Sequence, residues 1–355
     1  VPERTLAFLT SPGLAIAQLV TVLACCVVGV TFLSGARAWD LIFSTLWFNA
    51  LLVLLAVSAA AAFFTRIWRR KLTIVSAGMI VFHLSFVATL AGTVYNSLFF
   101  FRGVLRLTEG ETLANADPES YDQVERGRFF DFGRLSGETT LLAMHTGYKV
   151  DGQDKRAAYD VLVKAGSRSE RDTIYITRHL DFEGVRYFAS KEGYSVLVMM
   201  SGKDGRDIYG GHVPLQSLKQ ADGGYFYTTG TAQGAGALFF PAPPEHPRFD
   251  LQVTYQPDRA VERKGVVTFH VAPVEPHDGA AGERTGRVPV GVRFDAGDVA
   301  LTPREIRYWV GMSVRYDPGL PIVLTSLCLA LAGMVVTLVG RLRQGASRGR
   351  GALVN

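Results

Sequence analysis

Of the seven histidines and three cysteines in this 355-residue chain, one histidine stands where its chemistry is expensive. His83 lies inside an uncharged run from Leu72 to about Asn96, eleven residues past its start. That places it about 16 Å along a helix, close to the middle of a bilayer. An ionisable ring at this depth ordinarily faces a bundle interior, where it serves a cofactor, a proton path or an ion path. Neutral imidazole is also a common ligand of haem iron. Asn49, set by the same arithmetic about 12 Å in from the outer face on the preceding helix, is the candidate hydrogen-bond partner at nearly the same depth. Such a bond either satisfies a histidine that merely packs between helices or orients its second nitrogen toward a metal.

The other reactive residues are scattered. Cys25 and Cys26 lie in the first apolar run and Cys328 in the last. They can be read as a thiol relay, but small polarizable residues at helix interfaces account for them more economically. His145, His179, His212, His246, His270 and His277 show no zinc-type spacing. Between the third and last apolar runs there is no cysteine, hence no disulfide framework, no Cys-x-x-Cys pair and no Cys-x-x-Cys-His for covalent haem. Gly230 to Gly236 is glycine-rich but lacks the lysine and the following helix of a phosphate-binding loop.

The elements that must position His83 are membrane helices. Four runs, about 14–33, 41–64, 72–96 and 320–341, are each long enough to cross a hydrocarbon core of about 30 Å and carry essentially no charge inside. The first is longer than the apolar part of a signal peptide, and no cleavage site follows it. Basic residues from Arg66 to Lys71, and Arg341, Arg343, Arg348 and Arg350 without an acid among them, set the orientation. Both termini are expected in the cytoplasm, with 101–319 outside. Residues 1–100 then form an N-terminal membrane domain, and 342–355 a basic tail too short for a signalling domain, which weighs against a membrane sensor. Ten of the 37 basic but only two of the 32 acidic residues sit in these membrane flanks. The outer domain is therefore slightly acidic, and a nucleic-acid partner is excluded. Gly78, Ala88 and Gly92 leave room for close contact with a helix of another subunit.

The outer domain alternates β-branched and aromatic residues at a period near two around Tyr159–Val163, Asp172–Ile176, Tyr194–Val198, Asp250–Tyr255 and Val266–Val271. Asp151-Gly152, Asp204-Gly205 and Asp222-Gly223 punctuate these runs. The pattern predicts a large extracytoplasmic antiparallel β-rich domain, sandwich or barrel-like. Gly234–Pro247 and Asp278–Arg287 read as long loops, with Phe239 and Phe240 either meeting lipid or a partner or folding back onto the sheet.

Several of these segments carry a family likeness. Phe8 to Ala15 (Phe-Leu-Thr-Ser-Pro-Gly-Leu-Ala), Trp47-Phe48, His83 to Phe86 (His-Leu-Ser-Phe), Gly103 to Glu111, Phe182 to Ser190 and Trp309 to Gly319, in that order, resemble the ResB family of cytochrome c biogenesis proteins. The resemblance implies four transmembrane helices (three, then one) around the outer domain, in a bacterial cytoplasmic (inner) membrane, and a role in the system II pathway. There such proteins help a CcsA/ResC-type membrane partner move haem b across the membrane and present it to apocytochrome c. It implies that His83 is an axial haem ligand, with Asn49 behind it as a possible supporting residue. It further implies that this chain, lacking the partner's Trp-rich motif, is half of a holocytochrome c synthase rather than an enzyme alone. The alternative is a ResB-like structural or accessory subunit of a membrane redox complex, with His83 only packing.

Overall fold

A computed structural model describes residues 3–33, 35–66, 71–219, 225–231, 234–242, 245–258, 261, 263–274 and 282–352, with side chains in the last helix as far as residue 344. The basic residues Arg69 and Arg70, the Asp222-Gly223 turn and His277 lie outside the described residues, as do the side chains of Arg348 and Arg350.

Four helices are long and apolar enough to cross a membrane, at Pro12–Thr31, Leu46–Thr65, Ile74–Phe99 and Leu320–Gln344. They are called the first to fourth spans. The first opens with Pro12 just after Ser11, where a missing N–H costs nothing. The second starts about five residues later than its hydrophobicity implies, because Trp39–Phe43 forms a π-helical turn. The Ser44 and Thr45 hydroxyls donate to the carbonyls of Trp39 (2.7 Å) and Ile42 (2.6 Å), ending that turn before the span begins. The third is set by a capping box in which Thr73 and Ser76 exchange side-chain-to-backbone bonds. The fourth helix runs on to Ala352, so the expected basic tail is largely a helical continuation.

The third and fourth spans are pressed together through glycine. A Cβ on Gly333 would lie 2.8 Å from the Gly78 carbonyl oxygen, and one on Gly78 would lie 2.5 Å from the Thr337 hydroxyl. Gly92 packs against Ile322 in the same way. Gly78 and Gly92, expected at a contact with another subunit, are thus consumed inside the chain. The first span is mostly exposed, with Ile16, Leu23, Val27 and Val30 facing outward.

Between Phe99 and Leu320 the chain forms antiparallel sheets. Two 18-residue strands, Val185–Gly202 and Val299–Tyr316, pair along their whole length, from Val185 opposite Tyr316 to Gly202 opposite Val299. Bulges at Ala189/Lys191 and Leu197/Val198 interrupt the ladder and let so long a pair bend. Each strand contributes to two cores. The lobe next to the spans packs Phe101, Leu105, Leu141, Val161 and Tyr187 with Val310 and Met312. The far lobe packs Val196, Val198, Leu251, Val253 and Phe269 with Leu301 and Ile306. All five β runs read from the sequence fall in strands, except that Ile176 lies in the turn after Arg168–Tyr175. Two expected loops are corrected: Leu238–Phe240 and Arg284–Pro289 are strands, each paired at a sheet margin. Phe240 folds back and is buried beside Tyr209, whereas Phe239 is exposed, as alternation along a strand requires.

Candidate functional site: a membrane histidine and the junction above it

The geometry at His83 is set by its own helix. Nδ1 lies 2.8 Å from the Met79 carbonyl, one turn back. A carbonyl can only accept, so Nδ1 carries the proton and Nε2 of the neutral ring keeps its lone pair. Among the described residues Nε2 has no hydrogen-bond partner. The ring is half-buried, stacked near Phe63 of the second span (centroids 6.1 Å apart) and edge-on to Phe82 (5.4 Å). From the observed helix ends, His83 sits about 5 Å from the midpoint of the third span, on the side remote from the β domain.

Asn49 is not there. It lies one turn into the second span at the β-domain end, where its amide donates to the carbonyls of Thr45 (2.8 Å) and Phe43 (3.3 Å) and to the Ser97 hydroxyl (3.0 Å). Ser97 is fourteen residues beyond His83 on the third span, about 21 Å along the axis. The expected Asn49–His83 pairing is therefore corrected: counting Asn49 from Leu41 ignored the π turn, and a backbone carbonyl, invisible in side-chain patterning, orients the imidazole. The cysteines do not assemble either. Cys25 packs beside the cluster around Ile42 and Phe48, Cys328 is exposed, and all three are free.

Nor do the described β-domain histidines converge. His145 faces Asp160 (3.3 Å), His179 faces Asp181 (3.1 Å), His212 faces the Ser195 hydroxyl (3.3 Å) and His270 the Thr285 hydroxyl (2.7 Å). No group of three metal-ligating residues occurs among the described residues. Burial pushes the Asp160 carboxyl up, but the Thr173 hydroxyl, His145 and Arg171 outweigh it and hold the group below its ordinary value. Burial, and then Arg307, press the His212 imidazole below its ordinary value.

What sequence reasoning missed is the junction between bundle and sheet. Asp317, with its side chain 10% exposed, accepts from Arg186 (2.9 Å) and lies 3.9 Å from Arg102. Asn96, near the end of the third span, donates to the same carboxylate at 3.5 Å and accepts from the Gly319 N–H at 3.1 Å. One buried acid thus ties the third span, the sheet and the entry to the fourth span. The signal was present in Arg102, Arg186, Arg315 and Asp317, but charges in alternation read as a solvated strand face until the register places them side by side.

A second buried acid closes the β domain. Glu109 accepts from the backbone N–H groups of Met144 (2.9 Å) and Tyr308 (3.2 Å) and from Arg263 of the far lobe (3.1 Å). The Thr-Glu-Gly-Glu stretch at 108–111 is therefore structural: Gly110 takes φ +83°, and the Glu111 carboxylate accepts from the Thr108 N–H at 2.7 Å.

Comparison with known proteins adds two findings. The model of the ResB-like family matches residues 70–345, most of the chain, including His83, the whole β domain and the fourth span. A cytochrome c biogenesis protein CcsB from Picosynechococcus sp. is 38% identical over 58 residues, 16% of this chain and 13% of that protein. The chain therefore matches only a small part of that relative's length.

Proposed function

Because the chain belongs to the ResB-like family, we propose that it acts in cytochrome c maturation, as the half of a haem-delivering assembly that holds haem b in the membrane through His83. The observation that carries this reading is the hydrogen bond of one ring: Nδ1 is committed to the Met79 carbonyl, which leaves Nε2 as the ligating atom. A bound haem, here cargo rather than resident cofactor, would take its other axial ligand from a second protein, for which a CcsA/ResC-type membrane subunit is the fitting class. Phe63 and Phe82 flank the imidazole with apolar rings, and an apolar surround makes the iron's oxidation state sensitive to which ligands it has. The relative's name, a cytochrome c biogenesis protein, supports the pathway. The basic flanks support an orientation with the β domain outside the cytoplasm, where apocytochrome c would receive the haem.

The accessory-subunit reading has one observation in its favour: the same Nδ1 bond also satisfies a histidine that only packs. Replacement of His83 by glycine separates the two. Ligation predicts that haem content of the purified complex and cytochrome c maturation fall together, and that added imidazole partly restores both by entering the cavity. A variant with a normal haem spectrum and normal maturation removes His83 from the site. Lower expression with an unchanged spectrum and no response to imidazole assigns the chain the accessory role.

A further inference from the structure

The cross-strand register places three arginines in one row. Arg186 lies opposite Arg315, and Arg315 lies opposite Arg102, on neighbouring strands of the same sheet. Strands are about 4.8 Å apart, so the three side chains leave the sheet within about 10 Å of one another, an arrangement that repels itself unless an anion is shared. Two carboxylates are near. Asp317 is sequestered between Arg102 and Arg186, and Glu125 closes the row opposite Arg102. Arg315 has no ion-pair partner among the described residues, only a 3.5 Å bond to Ser313 and the face of Phe188. Arg102 Nε is buried without a hydrogen-bond partner.

Arg102 comes three residues after the third span ends at Phe99, which is the headgroup layer. Its guanidinium stacks over Trp39 at 4.8 Å, an aromatic at the level where membrane proteins concentrate tryptophan. Trp39 is also a wall shared by two cavities. Above it, a 340 Å³ pocket opens among Gly35, Arg102, Glu125 and Arg315. Below it, an apolar slot of 350 Å³ runs between spans, lined by Phe43, Phe48, Leu52, Leu320 and Val323. The polar residues of the slot, Thr93, Asn96 and Ser97, already bond within the chain.

We propose that this composite is a binding site for one anionic phospholipid of the leaflet facing the β domain, its acyl chain in the slot and its phosphate against Arg102 and Arg315. The other amphipathic anion that matters here, haem, fits less well. Among the described residues no histidine, methionine or cysteine lines the slot, and His83 lies ten residues from Thr93, its nearest lining residue on the third span, about 15 Å along the helix.

The test is native mass spectrometry of the full chain in mild detergent, titrated separately with phosphatidylglycerol and phosphatidylcholine. Wild type should hold one phosphatidylglycerol in preference to phosphatidylcholine. Arg315→Gln, which unpairs no carboxylate, should lower that occupancy on the order of tenfold, the effect of losing one charge-assisted bond. Arg315→Lys should retain most of it, and Arg206→Gln, in an exposed turn of the far lobe, should change nothing. Equal binding of the two lipids by wild type overturns the proposal. So does undiminished phosphatidylglycerol binding in Arg315→Gln, or a haem absorption that Val323→Trp in the slot removes. None of these readings depends on His83, so the lipid site and the haem ligand stand or fall separately.

Discussion

The membrane bundle and the β domain are stabilised by different physics, and the contrast explains where chemistry can reside. Within the bundle, lipid is as apolar as leucine, so helices hold together by backbone proximity at Gly78, Gly92 and Gly333 and by a few polar bonds such as Asn49 to Ser97. The β domain, in water, has two hydrophobic cores and buries its polar groups in satisfied networks. Asn115 is one such group: it accepts from the Thr139 hydroxyl at 2.6 Å through its side chain and from Tyr121 at 2.8 Å through its carbonyl. Burial there drives the Tyr187 phenol up to about 12. Among its described residues the buried side-chain atoms left idle are Nε of Arg102 and Arg106. The bundle leaves His83 Nε2 and the amide oxygens of Gln18 and Asn49 without a partner, and in a membrane an idle polar atom is the more informative feature.

The largest effect should come from asking which side each region faces. A reporter that works only outside the cytoplasm should be active when inserted at the Gly205 turn and silent when fused after Gly340, a difference of all or none in colony assays. The opposite pattern would place the β domain in the cytoplasm and dismantle the maturation reading.

Next is the glycine contact. Gly333→Leu must displace backbone 2.8 Å away, and membrane extracts should yield little or no monodisperse protein. Gly13→Ala, whose nearest neighbour is 3.7 Å away, should purify as wild type. Equal yields from both would mean that close packing does not hold the spans.

In the β domain the corresponding weak point is electrostatic. Removing the buried Glu109 carboxylate withdraws the acceptor of two backbone N–H groups and of one Arg263 bond, a loss of about 3–5 kcal/mol. Melting of Glu109→Ala in detergent should fall by roughly 10 °C. Lys203→Ala, from an exposed pair with Asp298 at 2.9 Å, should shift it by about a degree at most. A Glu109→Ala protein as stable as wild type would show that the lobes are held by their cores alone.

The smallest effect concerns pH. With the folded His212 imidazole held below its ordinary 6.5, the unfolded chain binds the proton more tightly. Stability from this group is complete above about pH 6.5 and falls with acidification through the folded value. Replacing His212 by asparagine should flatten part of the drop in melting temperature between pH 7.5 and 5. A variant with an unchanged pH profile would assign that drop to other groups.

Much of this molecule is legible without coordinates. Four charge-free runs of about twenty residues have one solution in water and lipid, which is why the spans and the intervening β domain match the expectation closely. The period-two runs likewise became strands, because burying one face demands it. Span ends were less legible: Ser44 and Thr45 terminate a π turn through hydroxyl bonds that hydrophobicity does not register. The loop assigned across 278–287 ended in a strand at Arg284, since a short polar edge strand alternates too weakly to be seen alone.

Composition and periodicity by themselves determined that four helices are long and apolar enough to cross a membrane and that His83 lies near the middle of one, since transfer free energies depend on local residue type. Only the tertiary structure decided what surrounds those residues. It bonded His83 to the Met79 carbonyl rather than to Asn49, assigned Gly78 and Gly92 to the fourth span, and lined up Arg186, Arg315 and Arg102 from strands up to 213 positions apart in the chain. Partner choice, helix rotation and strand register are properties of the packed chain, and a one-residue slip in any of them would put different side chains face to face.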